Sequence, residues 1–285
     1  MPDQTRQKLR YRATEPLISP QALQNLKRVL EERYLSPGHW VRAFEQRWAE
    51  VCGVRYAVAT SSGTAALHLA LHTAGIRAGD EVIVPAMTCP DTLNAVTFVG
   101  AKPVIVDIEP VRYGLDVRRL EAAVTRRTKA VIPVHLYGCI VSPAVFDLCR
   151  ALKLMVIEDA AEAHGADLGG RKAGALGDVG CFSFRGDKIL GIGTGGMLTT
   201  SDGGSAARAR YALGMASPGG FDRYFSSEMG YSYELSNVHA AIGVAQIEML
   251  EETLKARRAI AGWYDELLPE EDIETPALVP GHVWW

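Results

Sequence analysis

Three short tracts in this 285-residue sequence carry residue types and spacings that suit chemistry on a phosphate-bearing ligand. The first, Ser61-Ser62-Gly63-Thr64-Ala65-Ala66-Leu67, follows an apolar run and opens a helical pattern. A glycine there lets the backbone approach a ligand, and the unpaired N–H groups of a helix start bind phosphate. A serine-capped helix with no ligand explains the same letters, and on this tract alone it is the better explanation. The second, Val156-Ile157-Glu158-Asp159, ends an apolar strand in two carboxylates. Ligands of open α/β sheets sit at the carboxyl ends of strands, so an acid there can face a site. A solvated loop acid or a helix cap accounts for it equally well. The nearby Glu162 and His164 share that ambiguity, since a lone histidine is more often structural than catalytic. The third, Cys181-Phe182-Ser183-Phe184-Arg185-Gly186-Asp187-Lys188, runs into glycines from Gly191 to Gly196. Such a strand can hold one lysine in a pocket, although most lysines lie on the surface.

These tracts need a frame, and the rest of the chain supplies one. Tyr56–Thr60, Val82–Val84, Val104–Asp107, Ala130–His135 and Met155–Glu158 are apolar throughout rather than alternating, which predicts strands buried on both faces. Helical segments lie between them. One has Ser62 as N-cap, an apolar stretch from Ala65 to Leu71 and Gly75 as its end; another has Ser142 as N-cap and Pro143 in its first turn. The alternation predicts a mostly parallel sheet flanked by helices. From Ser236 the pattern predicts one long amphipathic helix, with Val238, Ile242, Ala245 and Met249 on a stripe. Turn-rich segments follow, then the beginning of a strand at Val283-Trp284-Trp285.

Composition excludes several classes. The formal net charge is −3 and 22% of residues are charged, so no basic surface points to nucleic acid or an acidic membrane. The sequence pI near 6.2 agrees. Five cysteines, Cys52, Cys89, Cys139, Cys149 and Cys181, are scattered without a C-x-x-C pair, which fits neither a disulfide framework nor a metal site and points to the cytoplasm. No leader is visible at Met1–Arg12, and Pro85, Pro90 and Asp91 interrupt the least charged stretch.

The order of the three tracts, with Lys188 placed 29 residues after Asp159 (188 − 159), matches the fold-type I pyridoxal-phosphate (PLP) enzymes of the aspartate aminotransferase group. The chain most resembles the DegT–StrS family of sugar aminotransferases. The likeness runs through Pro16-Leu-Ile-Ser, Phe44-Glu-Gln-Arg-Trp, Ser62-Gly-Thr-Ala-Ala-Leu, Gly79-Asp-Glu-Val-Ile-Val-Pro, Glu158-Asp-Ala-Ala-Glu-Ala-His-Gly, Phe182-Ser-Phe, Lys188, Gly195-Gly-Met and Leu235-Ser-Asn-Val-His-Ala-Ala-Ile-Gly. The tract from Glu158 to Gly165 is most similar to perosamine synthase-like members.

The resemblance implies an α/β PLP-dependent transferase fold of type I. It implies PLP as cofactor, Lys188 as the lysine that forms the Schiff base, and Asp159 as the carboxylate beside the pyridine nitrogen. A buried carboxylate there keeps that nitrogen protonated, and the ring then drains electrons from the reacting carbon. Gly63, Thr64 and Ser183 are implied to hold the phosphate, and Glu162 to meet the phenolic oxygen or the substrate. The implied reaction carries an amino group from an amino acid, glutamate, to a nucleotide-linked keto-sugar in polysaccharide or antibiotic sugar biosynthesis. A cyclitol (inosose) acceptor and a non-catalytic relative are the alternatives. A homodimer is implied, with Gly230–Tyr233 reaching the partner's phosphate pocket. Several positions depart from the family pattern: Cys89 where many members have an aromatic ring, Ser232 for Asn, Glu234 for Arg, and the Arg185-Gly186-Asp187 run before the lysine. The resemblance also divides the chain into a large PLP-binding domain over 1–250, including an N-terminal helical segment, and a linker helix with the start of a truncated small C-terminal domain over 251–285. Without the rest of that domain, weak PLP binding and little turnover are expected.

Overall fold

The computed structural model describes residues 16–217, 224–268 and 279–285. Two helices, α1 (Pro20–Glu32) and α2 (His39–Cys52), precede the first strand, β1 (Tyr56–Thr60). Strand and helix then alternate: α3 (Gly63–Thr73), β2 (Glu81–Pro85), α4 (Pro90–Phe98), β3 (Lys102–Val106), α5 (Val117–Ala123), β4 (Thr128–Val131), α6 (Pro143–Ala151) and β5 (Met155–Asp159). After the two-residue strands β6 (Asp167–Leu168) and β7 (Arg171–Lys172) come β8 (Val179–Ser183), β9 (Gly196–Thr200), α7 (Gly203–Leu213), α8 (Asn237–Ile247) and α9 (Leu250–Leu267).

Seven of these strands form one sheet in the order β1-β9-β8-β5-β4-β2-β3. β9 runs antiparallel to both β1 and β8, and every other pairing is parallel. The sheet has a core on each face because its strands put successive side chains on opposite sides. Val156 packs with Phe44, Trp48, Phe182 and Phe184 on the face covered by α2 and α8. Ile157, the next residue, packs with Leu69, Leu71, Val84 and Ile132 on the other face, under α3, α4 and α7. The edge strand β3 is the half-exposed one, and it carries the sheet's Pro103 where a missing donor costs little.

Strands form at all five expected places, although the fourth spans Thr128–Val131 instead of reaching His135, and Ser62 caps α3 by accepting from the amide of Ala65 at 3.1 Å. Three expectations differ. β9 was not foreseen: it is buried throughout, follows a glycine run and shows no alternation. The expected single helix from Ser236 is two helices, broken at Glu248–Met249. α8 is not amphipathic, because it lies beneath both α1 and α2 with Ala240, Ala241, Gly243, Val244 and Ala245 all buried. Buried Gln246 ties it to α1, donating to the Leu17 carbonyl at 2.7 Å and accepting from the Ser19 amide at 2.8 Å. Finally, residues 279–285 form no strand.

The aromatic cluster under β8 should dominate stability. Trp48 is fully buried, edge-on to Phe182 and Phe184 at 5.1 and 4.9 Å. Trp48→Ala is expected to cost about 3–5 kcal/mol, a large part of a typical stability of about 5–15 kcal/mol. Leu23→Ala on the exposed face of α1 should stay within about 0.5 kcal/mol. Urea unfolding of both variants checks the contrast, and equal losses would contradict this assignment of the core.

Candidate active site

The parallel strands β2, β4, β5 and β8 all end on the same side of the sheet, and α3 starts there too. Between these ends lies a cavity of about 490 Å³. Gly63, Thr64, Asp159, Glu162, Ser183 and Lys188 all line it, so every site residue expected from the sequence comes to one place.

Asp159 ends β5 on the α4 side of the sheet. Its carboxylate is buried, accepting from the Thr92 hydroxyl at 2.7 Å and the Ala161 amide at 3.2 Å. Burial holds its pKa above the usual carboxylate range, and the negative charge of Glu162 adds to that; the Thr92 and Ala161 donors and the Lys188 charge pull it down without overcoming burial. Because the folded-state value is the higher one, this carboxyl favours folding while protonated, and that contribution is lost as pH rises through the folded-state value. Among the described residues Asp159 forms no ion pair; Lys188 pairs with Glu162 instead.

Lys188 lies in the turn after β8, and its side chain is only 8% exposed. Its Nζ stands 3.4 Å from Glu162 Oε1 and 4.3 Å from the centroid of the Trp285 ring. The other oxygen of Glu162 accepts from the Tyr137 amide at 2.8 Å, so this carboxylate bridges the chain beyond β4 to the lysine. At the other end of the cavity α3 begins. The first amides of a helix have no intrahelical partner, and Ser62 takes that of Ala65, leaving Gly63 and Thr64 facing the cavity. A Cβ on Gly63 would lie 2.8 Å from the Ser183 Cβ, so glycine alone permits this approach of the α3 start to β8.

The sequence did not single out several residues that the structure adds. Thr92 is one: it sits 67 positions before the carboxylate it serves, with no local signal. Tyr137 and Trp285 are two more. The C-terminal segment lies against the turn after β4 instead of starting a sheet. Val283 donates to the Gly138 carbonyl at 3.2 Å and Trp285 to the Tyr137 carbonyl at 3.3 Å. A Cβ on Gly138 would collide with the Val283 carbonyl oxygen, which makes glycine obligatory under this segment. The Trp285 ring then stacks on Tyr137, 6.4 Å between centroids, and closes one wall of the cavity. Of the departures, Cys89 is exposed at the rim. Ser232 and Glu234 are also exposed, in a tract that bridges to Gly214 and Thr60 of the same chain.

A lysine and a buried acid facing a helix N-terminus across the carboxyl ends of a mostly parallel sheet define a class, the fold-type I cofactor-dependent transferases. The chain belongs to the DegT/DnrJ/EryC1/StrS aminotransferase family, whose model matches residues 16–285. Members of this family are PLP-dependent aminotransferases. GDP-perosamine synthase from Caulobacter vibrioides is 46% identical over 259 residues, which cover 88% of this chain and 68% of that protein. UDP-N-acetyl-3-dehydro-alpha-D-glucosamine 3-aminotransferase from Acidithiobacillus ferrooxidans is 39% identical over 267 residues, 93% of this chain and 72% of that one. The crystal structure of a family aminotransferase from Brucella abortus superposes with a TM-score of 0.87 at 33% identity, over 93% of this chain and 72% of that chain. Among the described residues no helix is long and apolar enough to cross a membrane, and no cluster of His, Cys, Asp or Glu could hold a metal ion.

The Thr92 hydroxyl gives a direct handle on Asp159. Thr92→Val keeps the shape of the side chain but removes a hydrogen bond that favours the ionised carboxylate, so the Asp159 midpoint should move to higher pH. A carboxyl ¹³C titration of the cofactor-free protein reads this, and an unchanged or lower midpoint would contradict the arrangement.

Proposed function

We propose that this chain transfers an amino group from an amino acid, glutamate, to the carbonyl carbon of a nucleotide-linked keto-sugar. The observation that carries the reading is the convergence of a buried lysine and a buried, cation-poor carboxylate in one cavity with a helix N-terminus. PLP suits this cavity on the chain's own features: the Gly63–Ser183 approach leaves a cradle for a phosphate, and the raised pKa of Asp159 marks an acid in want of a cationic neighbour. Bound there, PLP supplies an electron sink for the carbon that loses its proton.

The chain's own residues divide the remaining work. The Gly63 and Thr64 amides and the Ser183 hydroxyl would hold the phosphate. Asp159 would keep the ring nitrogen protonated, and the ionic pair would reverse the penalty that burial places on its charge. Lys188 would carry the cofactor, and its Nζ, once free, would move the proton between the two carbons as general base and then acid. Glu162, between the Tyr137 amide and Lys188, is placed to meet the phenolic oxygen or the substrate. The Tyr137 and Trp285 rings leave a flat apolar wall for the sugar. The names of the relatives support a nucleotide-linked acceptor.

A homodimer is part of the proposal. Tyr224, Phe225 and Met229 are each more than two-thirds exposed beside the Gly230–Tyr233 tract, and a C₂ arrangement would cover them reciprocally. Four of the five free thiols are buried, which suits a reducing cytoplasm.

Borohydride reduction of the PLP-loaded protein followed by peptide mass spectrometry should place a pyridoxyl group on Lys188; a label on Lys172 or Lys153 would sink the assignment. Asp159→Asn should retain cofactor and lose turnover by on the order of a hundredfold, and an undiminished rate would contradict the electron-sink role. A screen of amino donors against nucleotide keto-sugars and an inosose tests the acceptor, and transfer to the inosose alone would replace it with a cyclitol. Light scattering should give a dimer; a fully active monomer would overturn that element.

A further inference from the structure

His164 belongs to the Glu158–Gly165 motif and has no part in the chemistry above. Its ring is fully buried in a box of three aromatic side chains: Trp48 at 5.2 Å, Phe184 at 5.2 Å and Phe182 at 5.7 Å between centroids. Such a box is a poor solvent for charge. Burial drives the imidazole pKa down to about 3, with the positive Lys188 pushing the same way, so the ring is neutral at any working pH. The Ser183 backbone pulls in the opposite direction, yet Nε2 makes no hydrogen bond.

A neutral imidazole has one N–H and one lone pair. Here Nδ1 accepts from the Leu190 amide at 3.2 Å, which places the proton on Nε2. That N–H finds no acceptor at hydrogen-bond geometry inside the aromatic box. A buried N–H without a partner is unfavourable. Phenylalanine would fill the same box without that penalty, so what histidine adds is the Nδ1 lone pair.

Leu190 lies two residues beyond Lys188, where the chain has left β8 and not yet entered β9. The turn is closed by Lys188 donating to the Arg185 carbonyl at 2.9 Å and Ile192 to the Phe184 carbonyl at 2.9 Å. Between those two bonds, the backbone amide of Leu190 is held by a side chain from the β5 motif. We propose that His164 is a positioning residue for Lys188: its Nδ1 lone pair fixes the Leu190 amide and so holds the turn that aims Lys188 at Glu162 and the cavity. The inference rests on Lys188 being the cofactor-bearing lysine.

Two substitutions separate positioning from packing. His164→Phe fills the box and cannot accept; His164→Asn underfills the box but offers Oδ1 close to the place of Nδ1. Amide hydrogen exchange at Leu190 is measured on the cofactor-free proteins, and kcat and KM on the PLP-loaded ones. His164→Phe should speed Leu190 exchange at least about tenfold and lower kcat by on the order of tenfold with KM within about twofold. His164→Asn should keep both near wild type despite a lower Tm. Wild-type exchange and kcat in His164→Phe, or a kcat that simply follows Tm across the two variants, would overturn the positioning role. Borohydride labelling of another lysine in the wild type would overturn it together with the reading of the site. Labelling of Lys188 with unchanged exchange in His164→Phe would overturn the positioning role alone.

Discussion

Strand alternation at the end of β5 puts two consecutive carboxylates into opposite environments, and the site depends on that split. Glu158 points to the α2 side, where it is fully buried and saturated. It accepts from the amides of Gly174, Leu176 and Gly177 at 2.9, 2.8 and 2.7 Å and pairs with His135 at 2.9 Å. Asp159 points to the α4 side and receives only two donors, at the wall of an open cavity. The first carboxylate holds the Gly174–Gly177 loop beneath the sheet through those three amides. The second receives too few donors to offset its burial, which is why its pKa is raised and why a cationic ligand would bring out its charge.

The start of α3 is fixed from several sides. Ser62 caps it, the Thr194 hydroxyl donates to the Ser61 carbonyl at 3.0 Å, and the Ser61 amide donates to the Tyr233 carbonyl at 2.7 Å. Tyr233 in turn stacks on Tyr231 at 5.0 Å, and the two hydroxyls reach His68 and His72 on α3 at 3.0 and 3.2 Å. A helix N-terminus attracts an anion only where its amides are held in place. The tract expected to reach a partner subunit is thus already fastened to the phosphate-type loop of its own chain, which links any subunit contact there to the geometry of the cavity.

One carboxylate and one aromatic face share Lys188. Glu162 lies 3.4 Å from Nζ on one side, and the Trp285 ring presents its face at 4.3 Å. The ring is delivered by a segment more than ninety positions along the chain from Lys188, seated on the obligatory Gly138. Lys188 is therefore met by two separate parts of the chain, the β5 motif through Glu162 and the C-terminal segment through Trp285, and Tyr137 in the turn after β4 holds both of them.

The sequence by itself determined what short-range signals can carry. The uninterrupted apolar runs of β2 and β5 gave buried parallel strands, Ser62 and Gly63 gave a capped helix start, and motif order gave the family and its cofactor. Tertiary structure decided whatever depends on partners far apart in the chain. Period-two alternation says that Glu158 and Asp159 face opposite ways, but only the packing of α4 says which of them meets the cavity. Nothing near Thr92 signals its bond to Asp159, nothing near Tyr137 signals Trp285, and the aromatic box of His164 draws on Trp48, over a hundred positions away. The small-residue sequence of α8 could not reveal a helix with no exposed face, because alanine and glycine are compatible with either environment until α1 and α2 cover them. Local patterns fix local backbone, whereas the surroundings of a side chain are set by which elements the sheet order makes neighbours.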